Sequence, residues 1–209
     1  MFQMRMRKSL RSNVSSGPLK LLLALSFITA LLSTNDLLGD IIVDVSDTTI
    51  AAGGIGTVDV FISSTGTDDI EFASYAFAIT AIGSPGSTLE FEYPPDFSES
   101  LIGGPNGYVF VGDSLGIDYD DINSTNSTYI GFDGVDVGPS VTIDSTEKLL
   151  VRLDLRHTLG TGQSPALADG EQFRITLQDV GDTYFDFADI DASSYLTAVG
   201  GGIITVQAA

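Results

Sequence analysis

Beyond residue 40 the chain alternates apolar and polar residues with a period of two, and clusters of Gly, Pro, Asp, Asn and Ser interrupt the alternation. That is the signature of half-buried strands joined by turns. In EKLLVRLDLRHT, Leu149, Val151, Leu153 and Leu155 fall on one face and Leu150, Arg152, Asp154 and Arg156 on the other. Val58, Val60 and Ile62 alternate with Thr57, Asp59 and Phe61; Leu89, Phe91 and Tyr93 alternate with Thr88, Glu90 and Glu92; Phe173, Ile175 and Leu177 alternate with Arg174, Thr176 and Gln178. The longest run, Ile70 to Ile82, groups Ala73, Tyr75, Phe77, Ile79 and Ala81 and still leaves Phe72, Ala76 and Ala78 opposite, so it belongs in the middle of a sheet. Shorter strands are expected at 41–45, 108–111, 128–132, 184–187 and 202–206, about nine or ten in all. A helical turn is expected only at 96–102. With no βαβ alternation, the pattern predicts an all-β, antiparallel two-sheet sandwich.

The first forty residues follow a different rule. Five of the nine basic residues lie within the first twenty positions, and the apolar run Leu21 to Leu32 follows them. An apolar run of twelve residues suits a secretory signal peptide and falls short of the roughly 18 needed to span a bilayer. Residues 1–38 are therefore expected to be a signal peptide and 40–207 an exported domain with no membrane span, secreted or held at the cell surface. Beyond Lys20, four basic residues stand against 28 acidic ones, a formal net charge of −24. Such a surface repels nucleic acid, whose binding depends on clustered Lys and Arg. With no Cys in the chain, the domain must hold by packing or by ions rather than by disulfides.

The acidic residues raise the question of chemistry. GDSLGIDYDDINSTNSTYIGFDG, 112–134, carries Asp113, Asp118, Asp120, Asp121 and Asp133, with Asn123 and Asn126 among them. Calcium takes six to eight hard oxygen ligands, and acids spaced by two along a turn can converge on one ion. Asp118, Asp120, Asp121 and Asn123 are the candidate calcium ligands. The turn Gly and distal Glu of an EF-hand are missing, which leaves a looser loop site or a solvated loop. A second stretch offers Asp179, Asp182, Asp186, Asp189 and Asp191, either as another cation loop or as charges guarding a strand edge. His157 is the only His and has no G-x-S-x-G beside it, so the chain is not expected to be an enzyme. Among so many acids, a hydrolase pair is defined only by its separation in space. Tyr93, Tyr108, Tyr119, Tyr129, Tyr184 and Tyr195 are the aromatics a sugar could stack on, and there is no Trp. Asn123–Thr125 and Asn126–Thr128 are glycosylation sequons where the host has that machinery.

The order IIVDV, AAGGIG, VDVFI and the long FASYAFAI, closing with TEKLLVRLDLR, EQFRITLQDV and GGIITV, resembles cohesin domains over roughly residues 41–206. TAIGSPGSTLEF departs from the aromatic–Asp pair that follows the long strand in that family, so no partner-contact residue carries over. The resemblance implies a jelly-roll of about nine strands, related to carbohydrate-binding modules and acting by non-catalytic adhesion. Signal peptide, acidic β-domain and terminal IITVQAA together resemble exported proteins of the PEP-CTERM class, whose Pro-Glu-Pro and apolar tail do not follow Ala209 in this sequence. The expected role is an extracellular interaction module for a protein or polysaccharide partner; the alternatives are a calcium-stabilised matrix component and a glycan-active hydrolase.

Overall fold

The computed structural model describes residues 39–92, 98, 102–122, 125–178, 183–187, 190–191, 196–199 and 201–208, and only the backbone of 118–122, 184, 186–187, 190–191 and 196–199. The chain divides between Leu37 and Leu38, and all of these residues lie in the second unit. They form fourteen strands: β1 (Ile41–Val45), β2 (Thr48–Ala51), β3 (Ile55–Ser64), β4 (Asp68–Ile82), β5 (Thr88–Phe91), β6 (Asp118–Ile122), β7 (Thr128–Gly134), β8 (Val141–Ile143), β9 (Lys148–Thr158), β10 (Gln172–Leu177), β11 (Tyr184–Phe187), β12 (Ile190–Asp191), β13 (Leu196–Val199) and β14 (Gly202–Gln207). One helical turn, α1 (Pro165–Ala168), precedes β10. The expected helical turn at 96–102 lies almost wholly outside the described residues.

Among the described residues one sheet runs β13-β1-β3-β9-β5 and the other, of nine strands, is organised around β4. With fifteen residues β4 takes two partners along each edge: β7 and β8 on one, β10 and β11 on the other. The two sheets close on a single core. Val58, Val60 and Ile62 of β3 and Val151, Leu153 and Leu155 of β9 come from one sheet, and Tyr75, Phe77, Phe173, Ile175, Ile204 and Val206 come from the other. Removal of this apolar surface from water is the main force holding the layers together. The chain is thus an all-β two-sheet sandwich.

Several expectations change on inspection. Register shifts between Val60 and Phe61 opposite β9, so Leu150 joins the core while Leu149 pairs with the backbone of Gly107 and Val109. A bulge lets three consecutive apolar residues, Leu149 to Val151, all be buried, where strict alternation placed Leu150 outside. Tyr108–Val111, expected as a strand, is a turn closed by Val111 N–H to Tyr108 O, with a single bridge from Tyr108 to Leu149. Tyr108, Val109 and Phe110 are buried all the same and plug one margin of the core, while Val111 is exposed.

The sheets are also not purely antiparallel. β1 pairs parallel with β13, and β2 pairs parallel with β14. The first and last segments of the domain therefore run side by side, and both cross from one sheet to the other. Gly201 and Gly202 make that crossing possible. A Cβ on Gly202 would sit 2.5 Å from Ser46 O, and one on Gly201 would sit 2.4 Å from Ile175 O, closer than any side chain tolerates. Entry to the domain is fixed by Asp68, 2 % exposed, whose carboxylate accepts the Gly39 N–H and the Ser64 hydroxyl. Buried carboxylates need such donors to offset their desolvation.

Candidate functional site

The buried network around His157 has the residue types of a hydrolase but not the wiring. His157 lies at the end of β9 with 1 % of its surface exposed. Its Nδ1 accepts the N–H of Gly53 at 2.8 Å, so the neutral ring carries its proton on Nε2. Nε2 lies 2.7 Å from Ser87 Oγ and donates to it. The Ser87 hydroxyl in turn donates to Glu171, which also accepts from Gly86 N–H at 2.6 Å and Gln163 Nε2 at 2.8 Å. In a Ser-His-acid triad the serine gives its proton to His and the acid holds the far ring nitrogen. Here both relations are reversed: His157 has no free lone pair to act as base, and the carboxylate holds the serine. Burial pushes the His157 ring below its usual pKa, against the pull of Glu171. For Glu171 burial acts upward, but the hydrogen bonds from Ser87, Gly86 and Gln163 outweigh it and hold the carboxyl below its usual value. The network ties together the β2–β3 turn, the lead into β5, the end of β9 and the approach to β10. It is a structural clasp.

Part of the acidic stretch falls on a strand. Asp118, Asp120 and Asp121, expected in a loop, lie on β6, which pairs with β7. Register slips between Tyr119 and Asp121, making Asp120 the extra residue of a bulge. Asn123 lies outside the described residues. Asp133, 1 % exposed on β7, accepts from the hydroxyls of Tyr108 and Ser114 and from Gly134 N–H, anchoring the 102–117 segment from within. Among the described residues no group of three or more His, Asp or Glu is placed to hold a metal ion. In the second stretch Asp186 and Asp191 are register partners across β11 and β12, while Asp179, Asp182 and Asp189 lie outside the described residues. Of the tyrosines considered for sugar stacking, Tyr108 and Tyr129 are core residues. Tyr119 and Tyr184 stand on β6 and β11, and Tyr93 and Tyr195 lie outside the described residues.

The two outer faces of the sandwich differ in kind. On the five-stranded sheet Asp59 faces Arg152 across β3 and β9 and is bound by it at 2.6 and 3.0 Å. Arg156 grips Glu92, which raises its pKa further, and Asp44, Glu90 and Asp154 complete a charged surface. On the nine-stranded sheet the outward residues of β7 are Thr128, Ile130 and Phe132; on β4 the exposed Asp69 and Glu71 lead into the outward Phe72, Ser74, Ala76, Ala78 and Thr80. β10 adds Gln172, Arg174 and Thr176, and β14 and β2 add Ile203, Thr205 and Thr49. Phe72 and Phe132 stack with ring centroids 6.0 Å apart. Arg174 is the one basic residue of β2, β4, β7, β10 and β14, and the acids gather toward one end: Asp69 and Glu71 on β4, with Asp118, Asp121 and Asp186 as register partners of Phe132, Ile130 and Phe72. Sequence reading missed this contrast because it counted charge along the chain, whereas the pairing of strands sorts charge between faces.

No family model matches the chain, and no curated protein matches it. Solved structures do. The third cohesin of ScaC from Acetivibrio cellulolyticus, solved in complex with the ScaB dockerin, superposes with a TM-score of 0.50 at 16 % identity, covering 80 % of this chain and 99 % of that one. The fold is cohesin-like. The third ScaB cohesin of R. flavefaciens, in complex with a group 1 dockerin, gives a TM-score of 0.47 at 19 % identity over 81 % of this chain and 96 % of its own. A non-cellulosomal cohesin from the archaeon Archaeoglobus fulgidus gives 0.44 at 12 % identity over 80 % and 91 %. Among the described residues of this cohesin-like sandwich, no helix is long and apolar enough to cross a membrane.

Proposed function

We propose that the chain is an exported, non-catalytic interaction module that docks a protein partner on the outer face of its nine-stranded sheet. The observation that carries this reading is the uncharged centre of that face. Ala76 and Ala78 of β4 form a shallow floor between Ile130 and Thr176, beside the stacked Phe72 and Phe132. A desolvated apolar centre with a charged surround is how protein interfaces are built. An acidic domain that repels most neighbours through the rest of its surface leaves this uncharged centre as the place where close approach costs least. The cohesins with which it shares a fold were solved in complex with dockerins, which supports a partner that is itself a protein. The reversed Ser87–His157–Glu171 wiring supports a non-catalytic role.

Export is the second part of the reading. Residues 1–38 act as a cleaved signal peptide, supported by the basic start and the twelve-residue apolar run. Mass measurement of the exported protein tests it, and recovery of full-length chain inside the cell would contradict it.

The docking face is tested by capture. Immobilised protein is exposed to the secreted fraction of its native host beside two variants, Ala78→Glu on the uncharged face and Thr57→Lys on the charged one. A discrete protein retained by wild type and by Thr57→Lys, and lost with Ala78→Glu, is the expected result. Retention that survives Ala78→Glu would place docking elsewhere.

A further inference from the structure

A groove of about 530 Å³ opens where β2, β14 and β10 meet, lined by Asp47, Thr48, Thr49, Gln172, Ile203 and Thr205. Its volume lies within the roughly 300–1,000 Å³ of small-ligand sites, but its lining is unusual for one. Three threonine hydroxyls and one carboxamide provide hydrogen-bonding groups, and half-buried Ile203 adds an apolar side chain. We propose that this groove is a binding site for a neutral, hydroxyl-rich ligand, a short stretch of uncharged polysaccharide.

The register of the strands sets the arrangement. Gln172, Thr205 and Thr49 form one row across β10, β14 and β2. Neighbouring strands lie about 4.8 Å apart, so the row presents polar groups at a spacing that successive hydroxyls of a sugar chain can meet. These groups are weakly committed within the protein: Gln172 Nε2 reaches Thr205 Oγ1 only at 3.4 Å. Asp47 uses one oxygen to accept Ile203 N–H at 2.7 Å, which fixes its carboxylate at the end of the groove and leaves the other oxygen to accept a ligand hydroxyl. Charge selects against the other small-ligand classes. A phosphate or uronate would meet the Asp47 carboxylate and a chain of net charge −19, with Arg174 on the neighbouring row as the single cation. A lipid would need an apolar lining that one isoleucine does not provide. Ile203 and the threonine methyls suit the C–H face of a sugar ring, with the hydroxyls at its edge.

This groove lies on the same outer face as the protein-docking surface but at its β10, β14 and β2 end, away from the docking centre on β4 and β7, so the two can fail separately. The test is an NMR titration of the isotopically labelled full chain with cello-, xylo-, manno- and maltohexaose, and with oligogalacturonate as the charged control. At least one neutral oligosaccharide should give saturable shifts centred on Thr49, Gln172, Ile203 and Thr205, with little from oligogalacturonate. Thr205→Val and Thr49→Val keep the β-branched shape and remove one hydroxyl each, and each should weaken binding roughly fivefold to tenfold. Ala78→Glu should leave this binding unchanged. Absence of saturable shifts in the groove with all four neutral oligosaccharides, a response to oligogalacturonate alone, or affinity indifferent to both valine variants would overturn the proposal.

Discussion

The two faces of this sandwich are built from the same alternation and end up with opposite surfaces. On the five-stranded sheet the polar half of each strand is charged, and pairing places Asp59 opposite Arg152 and Glu90 opposite Arg156. On the nine-stranded sheet the centre, where β4 meets β7 and β10, is threonine, serine, alanine and isoleucine; the charges lie around it, Arg174 on β10 and the acids of β6, β11 and the start of β4. Two cross-strand arginines, Arg152 and Arg156, offset part of the acidic charge of the first face, which stays charged throughout. The second face has an uncharged centre of small apolar and hydroxyl side chains on β4, β7 and β10. An acidic sandwich can thus keep an uncharged patch at the centre of one sheet while charge covers the rest of its surface.

The comparison requires the sheets to stay back to back, and the most damaging way to break it is at the strand crossing. Gly202→Val would drive a side chain into Ser46 O and Val45, and should cost about 3 kcal/mol or more, read as a collapse of the denaturation midpoint. If the variant melts as wild type does, the parallel pairing of the first and last segments is wrong. Next in size is Ala78→Glu, which puts the missing charge on the neutral face. Partner affinity should fall by about thirtyfold or more, equivalent to ~2 kcal/mol, while the melting temperature moves little.

The clasp at His157 gives a pH test. Its folded pKa is depressed, so the neutral ring favours folding. Its contribution is complete above the unfolded value of 6.5 and is lost as pH falls below that value. Glu171 is depressed too, and its contribution is lost in a lower window, as pH falls below its ordinary 4.5. Thermal melts should be flat above neutrality and drop on acidification in two overlapping stages. His157→Gln should be less stable at pH 7.5 and should lack the upper stage; an unchanged acid profile would remove His157 from the account.

Smaller still is the charged face itself. A double-mutant cycle on Asp59 and Arg152 should give a coupling of about 0.5 kcal/mol that shrinks in molar salt. Smallest is calcium. Millimolar calcium and chelator should give the same melting temperature, since a ligand that binds only the folded chain must raise it. A rise with calcium would return an ion to the Asp118–Asp121 strand.

Much of the architecture was legible because period two is a local signal. β1 and β11 fall at the expected 41–45 and 184–187, and the long run at 70–82 is the central β4. What was not legible depends on partners. β6 is rich in aspartate and reads as a loop, yet it pairs with β7 because an outer strand can remain charged. β2 and β8 are only four and three residues long, too short for alternation to register. Tyr108–Val111 has the composition of a strand, and Tyr108, Val109 and Phe110 are used to plug the core from a turn. The role of Leu150 depends on a bulge opposite Phe61, which no pattern along one strand reveals. At the candidate site the sequence singled out His157 but not Ser87, Gln163 or Glu171, which lie 70, 6 and 14 positions away and meet it only through folding.

The side-by-side course of the first and last segments has a mechanical meaning. The domain is entered near Asp40 and left near Ala208, with the crossing glycines between, so these points lie toward opposite ends of the paired segments. Tension applied there would pull along the β1/β13 and β2/β14 ladders rather than peel them apart. Their rungs would then share the load at once, the geometry in which a small domain without covalent cross-links best resists being drawn out.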